Sequence, residues 1–140
     1  MDTYVRPRMV MEAKVHMGYV FVFLGGGVGA ALRHAVNLSF ARWIGTAFPF
    51  YTLFENVSGS IIMVALAVYF AFRGRAPQEV RLFLTTGLLG GYTTFAAFSL
   101  DFALLWDRGQ LVLASVYVLA SVAASLAGLM LALNIVRHLT

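Results

Sequence analysis

The segment Thr85-Thr86-Gly87-Leu88-Leu89-Gly90-Gly91-Tyr92-Thr93-Thr94-Phe95-Ala96-Ala97-Phe98-Ser99 decides the fold of this chain. It lies within the uncharged stretch 82–100, which is close to the length of roughly 20 residues that a membrane-spanning helix needs. Three glycines and the Thr93-Thr94 pair interrupt it, and a simple membrane anchor has no use for them. Because freed backbone groups are costly in hydrocarbon, a broken helix survives only inside protein or beside a wet cavity. The segment therefore predicts an ion site within a membrane.

The composition indicates a membrane protein. Of the 140 residues, 61% are hydrophobic and 11% are charged, and the mean hydropathy is +0.84, well outside the range of soluble domains. Four stretches are long enough to cross a hydrocarbon layer of about 30 Å. They are residues 17–41, 48–72, 81–105 and 110–137.

We predict an all-α membrane protein with four transmembrane helices and a break in the third. Residues 17–140 form the transmembrane domain, and residues 1–16 form a polar tail that we expect to be disordered. Too few residues remain for a soluble catalytic domain, and no nucleophile–base pair is visible, so we do not expect an enzyme. The absence of cysteine excludes disulfides and thiolate metal sites. No basic stripe with interleaved aromatic residues indicates nucleic-acid binding.

Polar side chains form one stripe on the second span and one on the fourth. The members are Thr52, Asn56, Gly59 and Ser60 in the second span, and Tyr117, Ser121 and Ser125 in the fourth. Such a stripe either bonds helices together or lines a pathway, and serine or threonine often bonds only its own helix. Two stripes beside a broken helix favour a pathway.

The side chains of this pathway suit a small anion, whereas the broken backbone suits a cation. Asparagine amides and hydroxyl groups donate hydrogen bonds to an anion, and Phe95 and Phe98, three residues apart, offer the positive edges of their rings. Weak coordination at several sites lets an ion leave as well as enter. Carbonyl oxygens freed near Gly90 and Thr93 are ligands of the kind that Na⁺ accepts.

Two charged residues stand out within the spans. Arg33 lies inside or at the end of the first span, where it either has a functional role or snorkels to the interface. Glu55 lies in the second span beside Asn56. It is either a proton carrier or cation partner, or a side chain that snorkels to the nearby interface.

The chain resembles the small bacterial fluoride channels, the Fluc/CrcB family, over nearly all of its four spans. The specific part of the resemblance is the segment Gly-Gly-Tyr-Thr-Thr-Phe-Ala-Ala-Phe-Ser at 90–99. Support comes from Gly25-Gly26, Gly29-Ala30 and Arg33 in the first span, and from Thr52-Leu53, Asn56 and Gly59-Ser60 in the second.

The resemblance implies a dual-topology, antiparallel homodimer, or a pair of homologous subunits, that passes several times through the lipid of the bacterial inner membrane. It implies passive export of fluoride, which lowers the toxicity of fluoride in the cytoplasm. A structural Na⁺ on the two-fold axis would be bound by the carbonyls of Gly90 and Thr93. The residues that the resemblance places along the fluoride pathway are Thr52, Asn56, Phe95, Phe98, Tyr117, Ser121 and Ser125, with Arg33 in the vestibule.

Two positions depart from the family pattern and leave alternatives open. Glu55 stands where the family usually has valine, and Ala96 where serine is common. A carboxylate beside Asn56 would repel fluoride unless it is protonated, so we predict that Glu55 is a modulator. One alternative is a proton-coupled small multidrug-type exporter that uses Glu55, although it leaves the broken third span unexplained. The other is a non-conducting partner subunit of a heterodimeric channel.

Overall fold

The computed structural model describes residues 5–73 and 76–139, and these are helical apart from short connections. The helices are α1 (Val5–Trp43), α2 (Phe50–Arg73), α3 (Gln78–Arg81), a π-helical segment (Leu82–Leu89), α4 (Gly90–Tyr92), α5 (Phe95–Asp107) and α6 (Leu111–Leu139). Four stretches are long and apolar enough to cross a membrane, namely Lys14–Trp43, Phe50–Phe72, Gln78–Asp107 and Leu111–His138. The prediction of four long apolar helices is therefore confirmed. We call Gln78–Asp107 the third span.

The start of α1 differs from the sequence prediction. The helix begins at Val5, so residues 5–16 of the segment that we expected to be disordered continue into the first span. Polarity alone suggested disorder, but residues 9–14 include Met, Glu, Ala and Lys, which are strong helix formers. Pro7 falls in the first turn, where its missing N–H is not needed. Residues 1–4 lie outside the described residues.

Helix α1 packs backbone to backbone against the third span, and glycines make this possible. A Cβ atom added to Gly29 would overlap the carbonyl oxygen of Leu88 and would lie 2.9 Å from the Tyr92 nitrogen. From the other side, a Cβ atom on Gly87 would lie 2.9 Å from the Cα atom of Gly25. Small residues permit this approach in lipid, where van der Waals packing replaces the hydrophobic drive between helices.

The third span is irregular in two places. Over Leu82–Leu89 it is a π-helix, and at its end the Gly90 N–H donates to the carbonyls of Thr85 and Gly87. The backbone is then extended at Thr93 (φ −81°, ψ 157°) and at Thr94 (φ −154°, ψ 126°). Helix α5 restarts at Phe95, capped by Thr94, whose Oγ1 accepts a hydrogen bond from the Ala97 N–H at 3.1 Å.

Helices α2 and α6 form the second closely packed pair. Gly128 of α6 faces Ile61 of α2 so closely that an added Cβ would lie 2.9 Å from an Ile61 side-chain carbon. A small core of Leu105, Ala114 and Tyr117 joins α5 to α6. The third span therefore contacts α1 through the π-helical segment and α4, and it contacts α6 through α5.

We predict that Gly29→Ala destabilises the protein, because the new methyl group must displace the Leu88 carbonyl. Overpacking of this kind costs about 1–3 kcal/mol, and the thermal midpoint in detergent should fall accordingly. Gly27→Ala is the matched control, since Gly27 is exposed on the same helix and has nothing within 4 Å of its added Cβ. Both changes bring the same gain in helix propensity. Equal thermal midpoints for the two variants would contradict the packing described here.

Candidate functional site

The break in the third span is held by the side chain of Asn56 on α2. Its Nδ2 donates to the Thr94 carbonyl at 3.0 Å, and the Thr94 N–H donates to its Oδ1 at 2.9 Å. Both backbone groups of an extended residue are thus paired without water, as a membrane interior requires. Asn56 stabilises the break itself in addition to lying beside it.

The same arrangement frees two backbone carbonyls. In a continuous α-helix the N–H of residue i bonds the carbonyl of residue i−4, so the Thr94 N–H would bond Gly90 and the Ala97 N–H would bond Thr93. Instead the Thr94 N–H bonds Asn56, and the Ala97 N–H bonds the Thr94 hydroxyl. At the break, the carbonyls of Gly90 and Thr93 therefore lose the N–H groups that would bond them in a continuous helix. These are the two carbonyls that the sequence suggested as Na⁺ ligands.

A cavity of about 460 Å³ lies beside the break, between α2, α5 and α6. It brings together five of the residues that sequence analysis placed on a pathway. They are Asn56, Phe95, Phe98, Ser121 and Ser125. The rest of the lining is Gly59, Ser60, Met63, Thr93, Thr94, Val122, Leu126 and Leu129. Thr52 and Tyr117, also predicted there, do not line this cavity.

The two phenylalanines form the aromatic part of the cavity wall. Their ring centroids are 5.4 Å apart and the rings are tilted by 37°. The ring of Phe98 also packs against the ring of Tyr117, with centroids 5.2 Å apart. Phe95 is 79% exposed, so this chain alone covers little of its ring. One face of the cavity therefore opens away from the helices of this chain.

Ser121 supplies an unused donor to the cavity. It is buried, and its Oγ has no hydrogen-bond partner within the described ranges. Ser60, by contrast, donates to the Asn56 carbonyl of its own helix at 2.7 Å. Asn56 uses one amide hydrogen on Thr94, which leaves the second N–H of its NH₂ group. Asn56 and Ser121 thus each retain a donor for an anion in the cavity.

Thr52 and Tyr117 meet at Asp101, a residue that sequence analysis missed. The buried Asp101 carboxylate accepts hydrogen bonds from Thr52 Oγ1 at 2.6 Å, from Tyr51 at 3.2 Å and from Tyr117 at 3.2 Å. A signal was present, because Asp101 follows Phe95 and Phe98 at the same three-residue spacing. An acid on that face of a predicted span was a candidate for a polar cluster.

Glu55 and Arg33 interact electrostatically without forming an ion pair. Glu55 is 0% exposed, and neither carboxylate oxygen has a hydrogen-bond partner among the described residues. The charge of the half-buried Arg33 on α1 attracts it, and the charge of Asp101 repels it. Full burial removes the alternative in which Glu55 snorkels to the interface.

The described residues hold no cluster of three or more His, Cys, Asp or Glu side chains that would bind a metal ion.

Comparison with known proteins gives consistent matches. The family model described as CrcB-like protein, Camphor Resistance (CrcB), matches residues 20–133. The fluoride-specific ion channel FluC of Rhodopseudomonas palustris (strain BisB5) is 58% identical over 124 residues, covering 89% of this chain and 100% of that protein. FluC 2 of Nitrobacter hamburgensis is 57% identical over 124 residues, with the same coverage. FluC of Granulibacter bethesdensis is 52% identical over 123 residues, covering 88% of this chain and 97% of that protein.

We predict that Asn56→Ala lowers the thermal midpoint of the protein in detergent. The change leaves the N–H and the carbonyl of Thr94 without partners, and each unpaired buried group costs about 1–3 kcal/mol. Ser60→Ala is the control, since it lies on the same helix and cavity wall but removes only a bond within α2. A midpoint for Asn56→Ala as high as that of Ser60→Ala would show that the break does not depend on this side chain.

Proposed function

This chain belongs to the CrcB-like protein family, and we infer from that membership and from the site described above that it is a fluoride-specific ion channel. It is a multi-pass membrane protein and not an enzyme. The observation that carries the inference from geometry is the cavity beside the break. It is walled by Phe95 and Phe98, and it holds the free hydroxyl of Ser121. We place the protein in the bacterial inner membrane, where passive fluoride export would lower cytoplasmic fluoride.

Fluoride in this cavity would exchange water for weak, uncharged donors. The second N–H of Asn56 and the hydroxyls of Ser121 and Ser125 donate hydrogen bonds, and the phenylalanines offer ring edges. No cationic side chain lines the cavity within the described residues, so a fluoride ion is not trapped by a fixed positive charge. Coordination that is weak and shared among several sites is what conduction requires.

Beyond the cavity, the pathway reaches Thr52 and Tyr117 only through a rearrangement. Each hydroxyl has one hydrogen to donate, and each donates it to Asp101. They would serve a passing fluoride after turning away from that carboxylate. Arg33, which is half-buried on α1, would hold anions in the vestibule.

The multidrug-type alternative has no support from the position of Glu55. A substrate-binding carboxylate should open to the cavity, but Glu55 is fully buried and is not part of the cavity wall. The partner-subunit alternative is decided by flux measurements on the purified protein alone.

We further propose that two copies pair antiparallel around a structural Na⁺. The break supports this, because one chain leaves Gly90 and Phe95 exposed, and lipid cannot satisfy an irregular backbone. A second copy would cover this face. The carbonyls of Gly90 and Thr93 from both copies would then hold the ion, and uncharged carbonyl oxygens fit Na⁺. When bound, the cation would offset the repulsion between the negative ends of these carbonyl dipoles.

We predict fluoride efflux from liposomes that contain the purified protein, with chloride efflux at background. Phe95→Ala and Phe98→Ala should each reduce fluoride efflux by about tenfold or more, because each removes a ring edge that would contact the ion. A tenfold reduction corresponds to a barrier higher by about 1.4 kcal/mol. Phe23→Ala is the control, because Phe23 is 80% exposed on α1 and does not line the cavity. Absence of fluoride efflux from the unmodified protein would contradict the channel and favour the partner-subunit alternative.

The Na⁺ proposal predicts that the oligomer depends on the cation. In detergent with Na⁺, light scattering should give the mass of two copies, and the thermal midpoint should fall when N-methylglucamine replaces Na⁺. A single-copy mass in both solutions would contradict the dimer. A dimer of unchanged thermal midpoint without Na⁺ would contradict the ion site while leaving the dimer in place.

A further inference from the structure

Glu55 is a buried ionisable residue that the proposed pathway does not use. It shares a face of α2 with Thr52 and Gly59, three residues before it and four after it. Both neighbours face the third span, since Thr52 bonds Asp101 of α5 and an added Cβ on Gly59 would overlap the side chain of Thr93. Glu55 therefore lies at the packed interface of α2, with 0% exposure. Its two carboxylate oxygens are unpartnered in the described part of the chain.

Several hydrogen-bond donors on the elements around Glu55 bond other groups instead. The hydroxyls of Tyr51, Thr52 and Tyr117 all donate to Asp101. Asn56 uses its amide on Thr94. On α4, Tyr92 pairs with Ser58 of α2. None of the described residues donates a hydrogen bond that would stabilise a negative charge on Glu55.

The charges that face Glu55 come from two elements. Arg33 of α1 attracts its carboxylate and Asp101 of α5 repels it, and no ion pair with Arg33 satisfies its oxygens. The π-helical segment carries no charged residue. Helix α6 carries none before Arg137. Among the described residues, one cation that forms no ion pair with Glu55 and one buried anion therefore act on its charge.

Glu55 and Asp101 are both buried, and a negative charge on Asp101 opposes one on Glu55. Asp101 accepts hydrogen bonds from three hydroxyl groups, whereas Glu55 accepts none from a described residue, and an unpaired buried carboxylate is very costly. On this basis, and resting on the proposed channel function, we propose that Glu55 is a proton-binding site. It holds a proton in the conducting channel, and its ionisation as the pH rises shuts fluoride conduction down.

The effect on fluoride follows from the position of Glu55 next to Asn56. Asn56 lines the cavity and retains one free N–H for an anion. A neutral Glu55 leaves that donor unopposed, whereas a carboxylate in the same low-dielectric surroundings repels fluoride strongly. Proton release from Glu55 therefore removes fluoride from the cavity and lowers efflux.

The test is fluoride efflux from liposomes at symmetric pH, from about pH 6 to about pH 9, a range that spans the neutral region where buried carboxyl groups titrate. Efflux through the unmodified channel should fall by about tenfold or more across this range. Glu55→Gln, which keeps the shape and removes the titration, should stay at the level of the acid limb at every pH. Protein-free liposomes at each pH subtract permeation by HF.

Glu79→Gln is the matched control. It removes the same charge from α3, away from the cavity, and should follow the unmodified channel at each pH. A pH profile of Glu55→Gln identical to that of the unmodified channel would overturn the proposal, as would high, pH-independent efflux through the unmodified channel. Absence of fluoride efflux from both at every pH would instead contradict the channel function.

A second measurement detects the proton on Glu55 directly and does not depend on fluoride flux. Infrared spectra of the unmodified protein at neutral pH should contain the carbonyl band of a protonated carboxyl group, which disappears as the pH rises. The band should be absent from Glu55→Gln and present in Asp101→Asn. If Glu55→Gln does not fold, the unmodified protein still decides the matter, because absence of the band at neutral pH overturns the proposal.

Discussion

A polypeptide in hydrocarbon cannot leave its backbone groups unpaired, and the pairing of Asn56 with Thr94 is how this protein meets that constraint. The two hydrogen bonds at 3.0 and 2.9 Å let the third span leave the helix at Thr93 and Thr94 and resume at Phe95. The capped start of α5, the freed carbonyls and the cavity beside the phenylalanines all follow from this break. A continuous helix would close the backbone site and turn Phe95 and Phe98 relative to α4.

The irregular third span also needs rigid neighbours. Glycines on both sides bring α1 against the π-helical segment and α4, so the backbone that departs from α-helical bonding is covered by protein. The polar and charged side chains around it differ in the number of hydrogen bonds that they make. Asp101 is surrounded by hydroxyl donors, Ser121 keeps a free hydroxyl, and Glu55 has no hydrogen-bond partner among the described residues. Within one bundle the site thus contains a carboxyl group with three hydrogen bonds, neutral donors, and a carboxyl group without a described partner.

Hydropathy and length predicted all four apolar helices to within a few residues at most ends, because crossing a bilayer fixes both quantities. The Thr93-Thr94 pair shortly after Gly90-Gly91 predicted a break, since glycine and threonine both have low helix propensity. The role of Asp101 was missed because its partners lie on α2 and α6, far away in sequence. The π-helical segment has no sequence signature that distinguishes it from an α-helix. Whether Glu55 is buried depends on how α2 packs, which local sequence does not determine.

The conformation of Thr93 and Thr94 in a lipid bilayer tests the central claim most directly. Solid-state NMR on protein labelled with ¹³C and ¹⁵N at threonine reports the backbone dihedral angles through the carbon chemical shifts. We expect extended values for these two residues and helical values for Thr52, Thr85 and Thr86, which serve as internal references in the same sample. Helical shifts at Thr93 and Thr94 would mean that the third span is continuous. The freed carbonyls and the site built on the break would then not exist.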